Sequence, residues 1–290
     1  EAWPDIPPLE DYYDAARAAF PGALIGGGML SYFTELNRKR PPVGHVDYVT
    51  HTTCATIHDA DDRSVMETLE ALPYVIESTK AFIDGRPYWV GPSAIGMRDN
   101  PYGAAPVDNP TNARLAMAKN DPRQRGLFGA AWSLGYAAHM ARGGISALTL
   151  SAAAGEFGVI AHRTPYPQPY FDDLDRPAVY PVYHVIAGLA AAARRPRLEA
   201  RSTAPSKIDC LAWDADGVPV LWVANLTAED QEFSLAGLSP GDYTARVLDE
   251  RAFAEAAVNA RFMREGLSPV DTRGPITIGS YATVVIKRVA

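Results

Sequence analysis

The feature that most constrains the fold of this chain is where its long connections fall. Short apolar runs alternate with segments of helical periodicity, and each long connection follows the C-terminal end of a predicted strand. Residues 9–20 place Leu9, Tyr12, Tyr13, Ala16 and Phe20 on one helical face before Pro21-Gly22 ends the helix. A strand then runs from residue 23 into Gly26-Gly27-Gly28, and a second covers 46–51. Asp61 or Asp62 can cap the next helix, which carries Val65, Met66, Leu69, Leu72, Val75 and Ile76. A third strand covers 88–91. A helix opening at Asp121-Pro122 presents Leu127, Phe128, Ala131, Leu134 and Ala138, and stops at Gly143-Gly144. The fourth strand covers 145–150, and the last helix 180–194. Alternation of this kind implies a parallel sheet with right-handed crossovers. The long connections at 26–45, 51–61, 91–120 and 151–179 would all gather at one end, as in a barrel whose C-terminal face builds a site. A doubly wound sheet is the rival. However, Gly26-Gly27-Gly28 leads into Met29-Leu30-Ser31 and is no dinucleotide turn.

From about Arg201 the period changes to two. Residues 211–213 and 220–224, joined at Asp216-Gly217, read as a hairpin, and 233–235, 243–247 and 281–286 add strands. The expected architecture is therefore α/β: a (β/α)8 TIM-type barrel over residues 1–198, followed by a small antiparallel β-sandwich over 199–290. Only four barrel strands are visible where closure needs eight, so the segment reads as the C-terminal half of a barrel. Its expected partner is the missing N-terminal half or a second copy.

Composition narrows the function classes. A formal net charge of −7, with no basic run longer than Arg38-Lys39-Arg40, argues against a nucleic-acid surface. The longest apolar stretch, 185–193, is broken by Gly188 and too short to cross a bilayer. No secretory leader is apparent, and the two cysteines, Cys54 and Cys210, fall in different predicted domains, so the expected location is the cytoplasm without a disulfide framework.

Four segments carry a resemblance. They are Gly26-Gly27-Gly28 with 33–38 (Phe-Thr-Glu-Leu-Asn-Arg), 50–54 (Thr-His-Thr-Thr-Cys) with 58–64, 91–101 (Gly-Pro-Ser-Ala-Ile-Gly-Met-Arg-Asp-Asn-Pro), and 151–156 (Ser-Ala-Ala-Ala-Gly-Glu). Together they resemble the D-apionate lactonase family of bacterial branched-sugar catabolism, over nearly the whole chain. The architecture is also similar to glycoside hydrolases whose barrel carries a C-terminal sandwich. The resemblance implies hydrolysis of a five-membered sugar lactone to the open hydroxy acid, and it assigns no residue roles, which rest on chemistry alone.

Glu35, in the connection after the first strand, is a candidate general base on water. Alternatively it is a solvated residue paired with Arg38 or Lys39. His51 ends the second strand, where an imidazole could titrate into a site, or be a buried histidine bonded to backbone. Glu156 ends a run of five small residues (151–155) that leave room for a ligand, which suits hydroxyl binding or acid/base work. Asn37, Arg38, His58, Arg98, Asp99 and Asn100 are candidate substrate-binding residues, with the Arg98 fork matched to a lactone carbonyl or product carboxylate. Arg98 and Asp99 could instead pair with each other. His58 with Asp59, Asp61 and Asp62 could suggest a metal site, but Asp61 and Asp62 are already accounted for as helix caps. No metal or cofactor is expected.

A serine mechanism lacks its Gly-x-Ser-x-Gly elbow, so water attack is favoured for lactone opening. The runner-up is a glycosidase, which needs two opposed carboxylates. The third strand (88–94) offers no acid before Asp99. A non-catalytic carbohydrate-binding protein is a third reading. It is disfavoured because Trp89, Trp132, Trp213 and Trp222 fall inside predicted elements and only Trp3 lies outside them.

Overall fold

The computed structural model describes residues 8–289, so Trp3 lies outside the described residues. In chain order the first part contains α1 (Leu9–Ala19), β1 (Gly26–Tyr32), α2 (Phe33–Arg38), β2 (Tyr48–Thr52), α3 (Asp62–Glu67), α4 (Leu72–Lys80), β3 (Tyr88–Ser93), α5 (Leu127–Arg142), β4 (Ala147–Leu150) and α6 (Pro181–Ala192). The strands form one parallel sheet in the order β1-β2-β3-β4. This is the strand–helix repeat of a TIM barrel, seen for four consecutive strands. Glycine makes the first pairing possible. Gly28 has a φ of +138°, and a Cβ there would lie 2.0 Å from the Thr50 carbonyl oxygen of β2.

The structure departs from the sequence pattern at three places. The first strand begins at Gly26 rather than ending there, so most of the connection at 26–45 is strand and helix, and Glu35 sits on α2 instead of a loop. The helix after Asp61 is broken into α3, a 3-10 turn over Thr68–Ala71, and α4. Pro73 in the first turn of α4 has no N–H to continue the ladder from α3. Asp61 does cap α3, accepting from the Ser64 N–H at 2.9 Å. Asp121 caps a 3-10 turn over Pro122–Arg125, and α5 starts only at Leu127.

The second part contains β5 (Arg197–Leu198), β6 (Ile208–Ala215), β7 (Val218–Asn225), β8 (Gln231–Phe233), β9 (Tyr243–Leu248), α7 (Phe253–Val258), β10 (Ser268–Val270), β11 (Ile276–Ile278) and β12 (Thr283–Arg288). Six of these strands make an antiparallel sheet in the order β10-β9-β12-β7-β6-β5, and β11 pairs with β8. The β6–β7 hairpin turns at Asp216-Gly217, both with positive φ, as a tight two-residue turn requires. Arg197 and Leu198 already pair with Trp213 and Ala212 of β6.

One hydrophobic core runs through both parts. It joins Val49, Val90, Trp132 and Leu134 to Trp213, Trp222 and Leu248. Helix α5 is buried almost all round because the parallel strands lie on one side and β6 and β7 on the other. Gly188 of α6 permits the closest approach, since a Cβ there would come within 2.4 Å of the Trp222 ring.

Candidate active site

A cleft of about 660 Å³ at the C-terminal ends of β1 and β2 is lined by Tyr32, Glu35, Arg38, Cys54 and His58, by Asn100 from the connection after β3, and by side chains of α4 and α5 such as Leu72 and Trp132. Glu35 is carried on α2, directly after β1. Its Oε1 accepts a long hydrogen bond from Asn100 Nδ2 at 3.4 Å. Its Oε2 is buried without a hydrogen-bond partner among the described residues. Arg98 lies on the connection after β3. The Tyr32 hydroxyl donates to its backbone carbonyl at 2.9 Å, and its guanidinium packs over the Phe157 ring at 4.2 Å. Arg98 Nε and Nη2 are buried and likewise without partners. Burial lowers the Arg98 pKa, while the neighbouring Tyr32 and Cys54 act to raise it. Burial also raises the Tyr32 hydroxyl, with Cys54 and Glu35 adding to the effect, so the phenol stays protonated as a donor. Tyr32 is thus within electrostatic reach of both Glu35 and Arg98. A half-buried carboxylate and a half-buried guanidinium, each with orphaned polar atoms, have most to gain from a polar ligand.

Four other expected residues lie differently. His51 is fully buried on β2 and turned toward the helices. Its Nδ1 is 2.7 Å from the Thr52 carbonyl and its Nε2 is 2.6 Å from the Tyr88 hydroxyl. The carbonyl can only accept, so Nδ1 carries the proton and Nε2 accepts from Tyr88. Burial pushes its pKa down to about 4. Both nitrogens are committed, and His51 is a core histidine, not an acid or base of the cleft. Asn37 is exposed and accepts from Arg40 Nη2 at 2.7 Å. Asp99 is exposed and holds Lys119 Nζ at 2.9 Å rather than pairing with Arg98. Glu156 lines a neighbouring cavity with Asn109, Lys119 and Tyr166 and does not join Glu35. Arg38 and His58 stand exposed at the cleft mouth. Among the described residues no cluster of His, Cys, Asp or Glu could hold a metal ion.

Sequence reasoning overlooked what fixes these connections in place. Arg123, buried, binds Asp121 at 2.6 Å and Asp62 at 3.2 Å, and Asp62 also holds Arg114 at 2.7 Å. Asn109 and Asn120 each donate to the other's backbone carbonyl, Arg125 donates to Asn112, and Tyr180 donates to Gln168. Beneath the cleft, Thr53, Ser93 and Tyr136 share hydroxyl hydrogen bonds of 2.8–3.1 Å. The available signal was Arg123-Gln124-Arg125, three long polar residues opening an alanine-rich helical segment that is otherwise core.

Residues 1–194 match the family described as D-apionate lactonase, TIM barrel domain. Residues 205–286 match its C-terminal immunoglobulin-like domain. A D-apionate lactonase of Brucella anthropi is 44% identical over 234 residues, which is 81% of this chain and 37% of that protein. The chain therefore spans well under half the length of that curated relative. Among solved structures, an α-L-arabinofuranosidase of Thermotoga maritima superposes with a TM-score of 0.60 at 13% identity, covering 96% of this chain and 60% of that one. A β-xylosidase of Caulobacter crescentus does so with a TM-score of 0.55 at 12% identity, covering 97% of this chain and 62% of that one. At such identities these glycosidases speak to the fold alone.

Proposed function

Because the chain belongs to the D-apionate lactonase family, we propose that it contributes the reaction cleft of a hydrolase opening a sugar-derived γ-lactone to its hydroxy acid. The observation that carries this reading is a pair of groups with unsatisfied atoms, Glu35 Oε2 in the cleft and Arg98 Nε and Nη2 beside it, both within electrostatic reach of Tyr32. Glu35, steadied by Asn100, takes a proton from water as its oxygen adds to the lactone carbonyl carbon. The Arg98 guanidinium receives the negative charge that develops on the carbonyl oxygen. Collapse of the tetrahedral intermediate breaks the ring C–O bond, and the proton held by Glu35 passes to the departing ring oxygen. Arg38 and His58 at the mouth are suited to the substrate's hydroxyls. The reaction needs no covalent nucleophile, and burial raises the Cys54 thiol away from its reactive form.

A glycosidase would need two carboxylates facing one bond. Here Glu35 and Glu156 line different cavities, and β3 carries no acid. Both cysteines are free, in keeping with a cytoplasmic setting, and among the described residues no helix is long and apolar enough to cross a membrane. The division into a barrel part and a sandwich is part of the same reading, with Arg197 and Leu198, paired to β6, on the sandwich side.

The test is proton release by the intact protein from a panel of aldono-γ-lactones, run beside nitrophenyl glycosides. Lactones are expected to turn over and glycosides to remain untouched. Glu35→Gln should lower the lactone rate by about 10²–10⁴, and Arg98→Ala by about 10²–10³. Turnover of glycosides alone, or wild-type lactone rates in both variants, would overturn the assignment.

A further inference from the structure

The Arg98 guanidinium beside the cleft is held without a carboxylate. A carboxylate partner occupies the N–H fork of an arginine and balances its charge. Asp99, the next residue in the chain, holds Lys119 at 2.9 Å instead. Arg98 Nε and Nη2 donate to no acceptor among the described residues. What meets the guanidinium is an aromatic face, since its central carbon lies 4.2 Å from the centre of the Phe157 ring. A ring face attracts a cation through its quadrupole, takes up no N–H and leaves the positive charge in place. An arginine held in this form can still answer a charge that develops during a reaction.

Phe157 is itself fixed by the connection that follows β4. The Ala152 N–H donates to the Phe157 carbonyl at 2.7 Å, the Gly158 N–H to the Gly155 carbonyl at 2.9 Å, and the Val159 N–H to the Ala152 carbonyl at 3.0 Å. A Cβ on Gly158 would lie 2.8 Å from the Ala154 backbone, so the position beside Phe157 has no room for a side chain. The run of small residues at 151–155 therefore folds the turn that presents this ring. At the other end of Arg98, the Tyr32 hydroxyl donates to its backbone carbonyl at 2.9 Å. Main chain and guanidinium are thus anchored separately, from the end of β1 and from the connection after β4. Neither anchor uses a guanidinium N–H.

We propose that Phe157 is a positioning residue for the hydrolysis: its ring holds the Arg98 guanidinium, charged and with its N–H groups free, where the lactone carbonyl oxygen gains charge. The inference rests on the lactonase reading above. An anchor of this kind acts when the oxyanion forms, so its loss lowers kcat and leaves KM unchanged.

The experiment measures kcat and KM of the intact protein on whichever aldono-γ-lactone of the panel it turns over fastest. Phe157→Leu, which keeps an apolar side chain but has no ring face, should lower kcat about 2- to 30-fold at unchanged KM. Phe157→Tyr keeps the face and should restore the wild-type kcat. In an Arg98→Ala background Phe157→Leu should lower the rate no further, because the group it positions is gone. A general loss of structure would persist in that background, which separates the two causes. Wild-type kcat in Phe157→Leu, a rise in KM in place of the fall in kcat, an equal loss in Phe157→Tyr, or an undiminished effect in Arg98→Ala would each overturn the proposal. Absence of lactone turnover in the wild type would overturn the lactonase reading and this inference with it. Turnover that depends on Arg98 but not on Phe157 would overturn this inference alone.

Discussion

His51 shows how a single side chain changes meaning once its neighbours are known. At a strand end it reads as a site residue, but on the helix-facing side of β2 it is a buried donor and acceptor between Thr52 and Tyr88. The folded state holds it neutral, with a pKa of about 4 against 6.5 in the unfolded chain. Between these values the unfolded chain binds the extra proton, so this residue's contribution is complete above about pH 6.5. It is lost as pH falls toward 4, by an amount on the order of 3 kcal/mol. A melting series over that range should be shallower in His51→Gln than in the wild type, and equal slopes would show that His51 is not the titrating group. His139 and His184 are also depressed by burial and supply the slope that remains. Glu35 and Arg98, by contrast, remain the proposed base and oxyanion partner, each with buried polar atoms that have no partner among the described residues. Carboxylates and guanidiniums are rarely left half-buried with unsatisfied atoms unless a ligand completes them.

The elements of the two parts are tied at α5. Arg142, near its C-terminus, forms a fork with Asp209 of β6 at 2.8 and 2.6 Å, and His139 stands 3.6 Å from the same carboxylate. Asp209 is fully buried, so removing its partner leaves a charge in a poorly solvated place. Arg142→Ala should therefore lower stability by about 3–5 kcal/mol, measured by denaturant unfolding. A change near zero would mean that Asp209 is solvated through an opening between α5 and β6. Packing adds to this joint where Gly188 of α6 admits the Trp222 ring. Strands and helices were legible because their period follows from the backbone: alternation for β6, β7 and β12, and three-to-four spacing for α4 and α5. The short β5, β10 and β11 and the helix α7 were missed, because two- or three-residue strands are defined by the partner they meet and carry no period of their own.

At the scale of the whole molecule, the parallel sheet has one neighbour only at β1 and one only at β4 among the described strands. On β1 itself Leu30 is 84% exposed, and Phe20 and Leu24 just before the strand are also exposed. Unpaired strand edges flanked by apolar side chains promote association. The 290-residue polypeptide is therefore expected to run larger than one chain in size-exclusion chromatography with light scattering, and a monomer that melts cooperatively would contradict this. The sequence by itself determined the alternation of strand and helix, the change to an antiparallel sheet and the gathering of long connections at one end. Each of these follows from local periodicity and from where glycine, proline and capping residues interrupt it. Only the tertiary structure decided which of the chemically able residues meet. It brought Glu35 to Asn100 across 65 positions, turned Asp99 outward to Lys119, and set Glu156 in a cavity of its own. It also spent His51 on the core. The physical reason is that the side of the sheet a strand residue faces, and the partner it finds there, depend on strand register and on how a distant loop is held. Here that hold comes from the Arg123–Asp62 and Asn109–Asn120 contacts, whose members are 61 and 11 positions apart and leave no periodic trace in the chain.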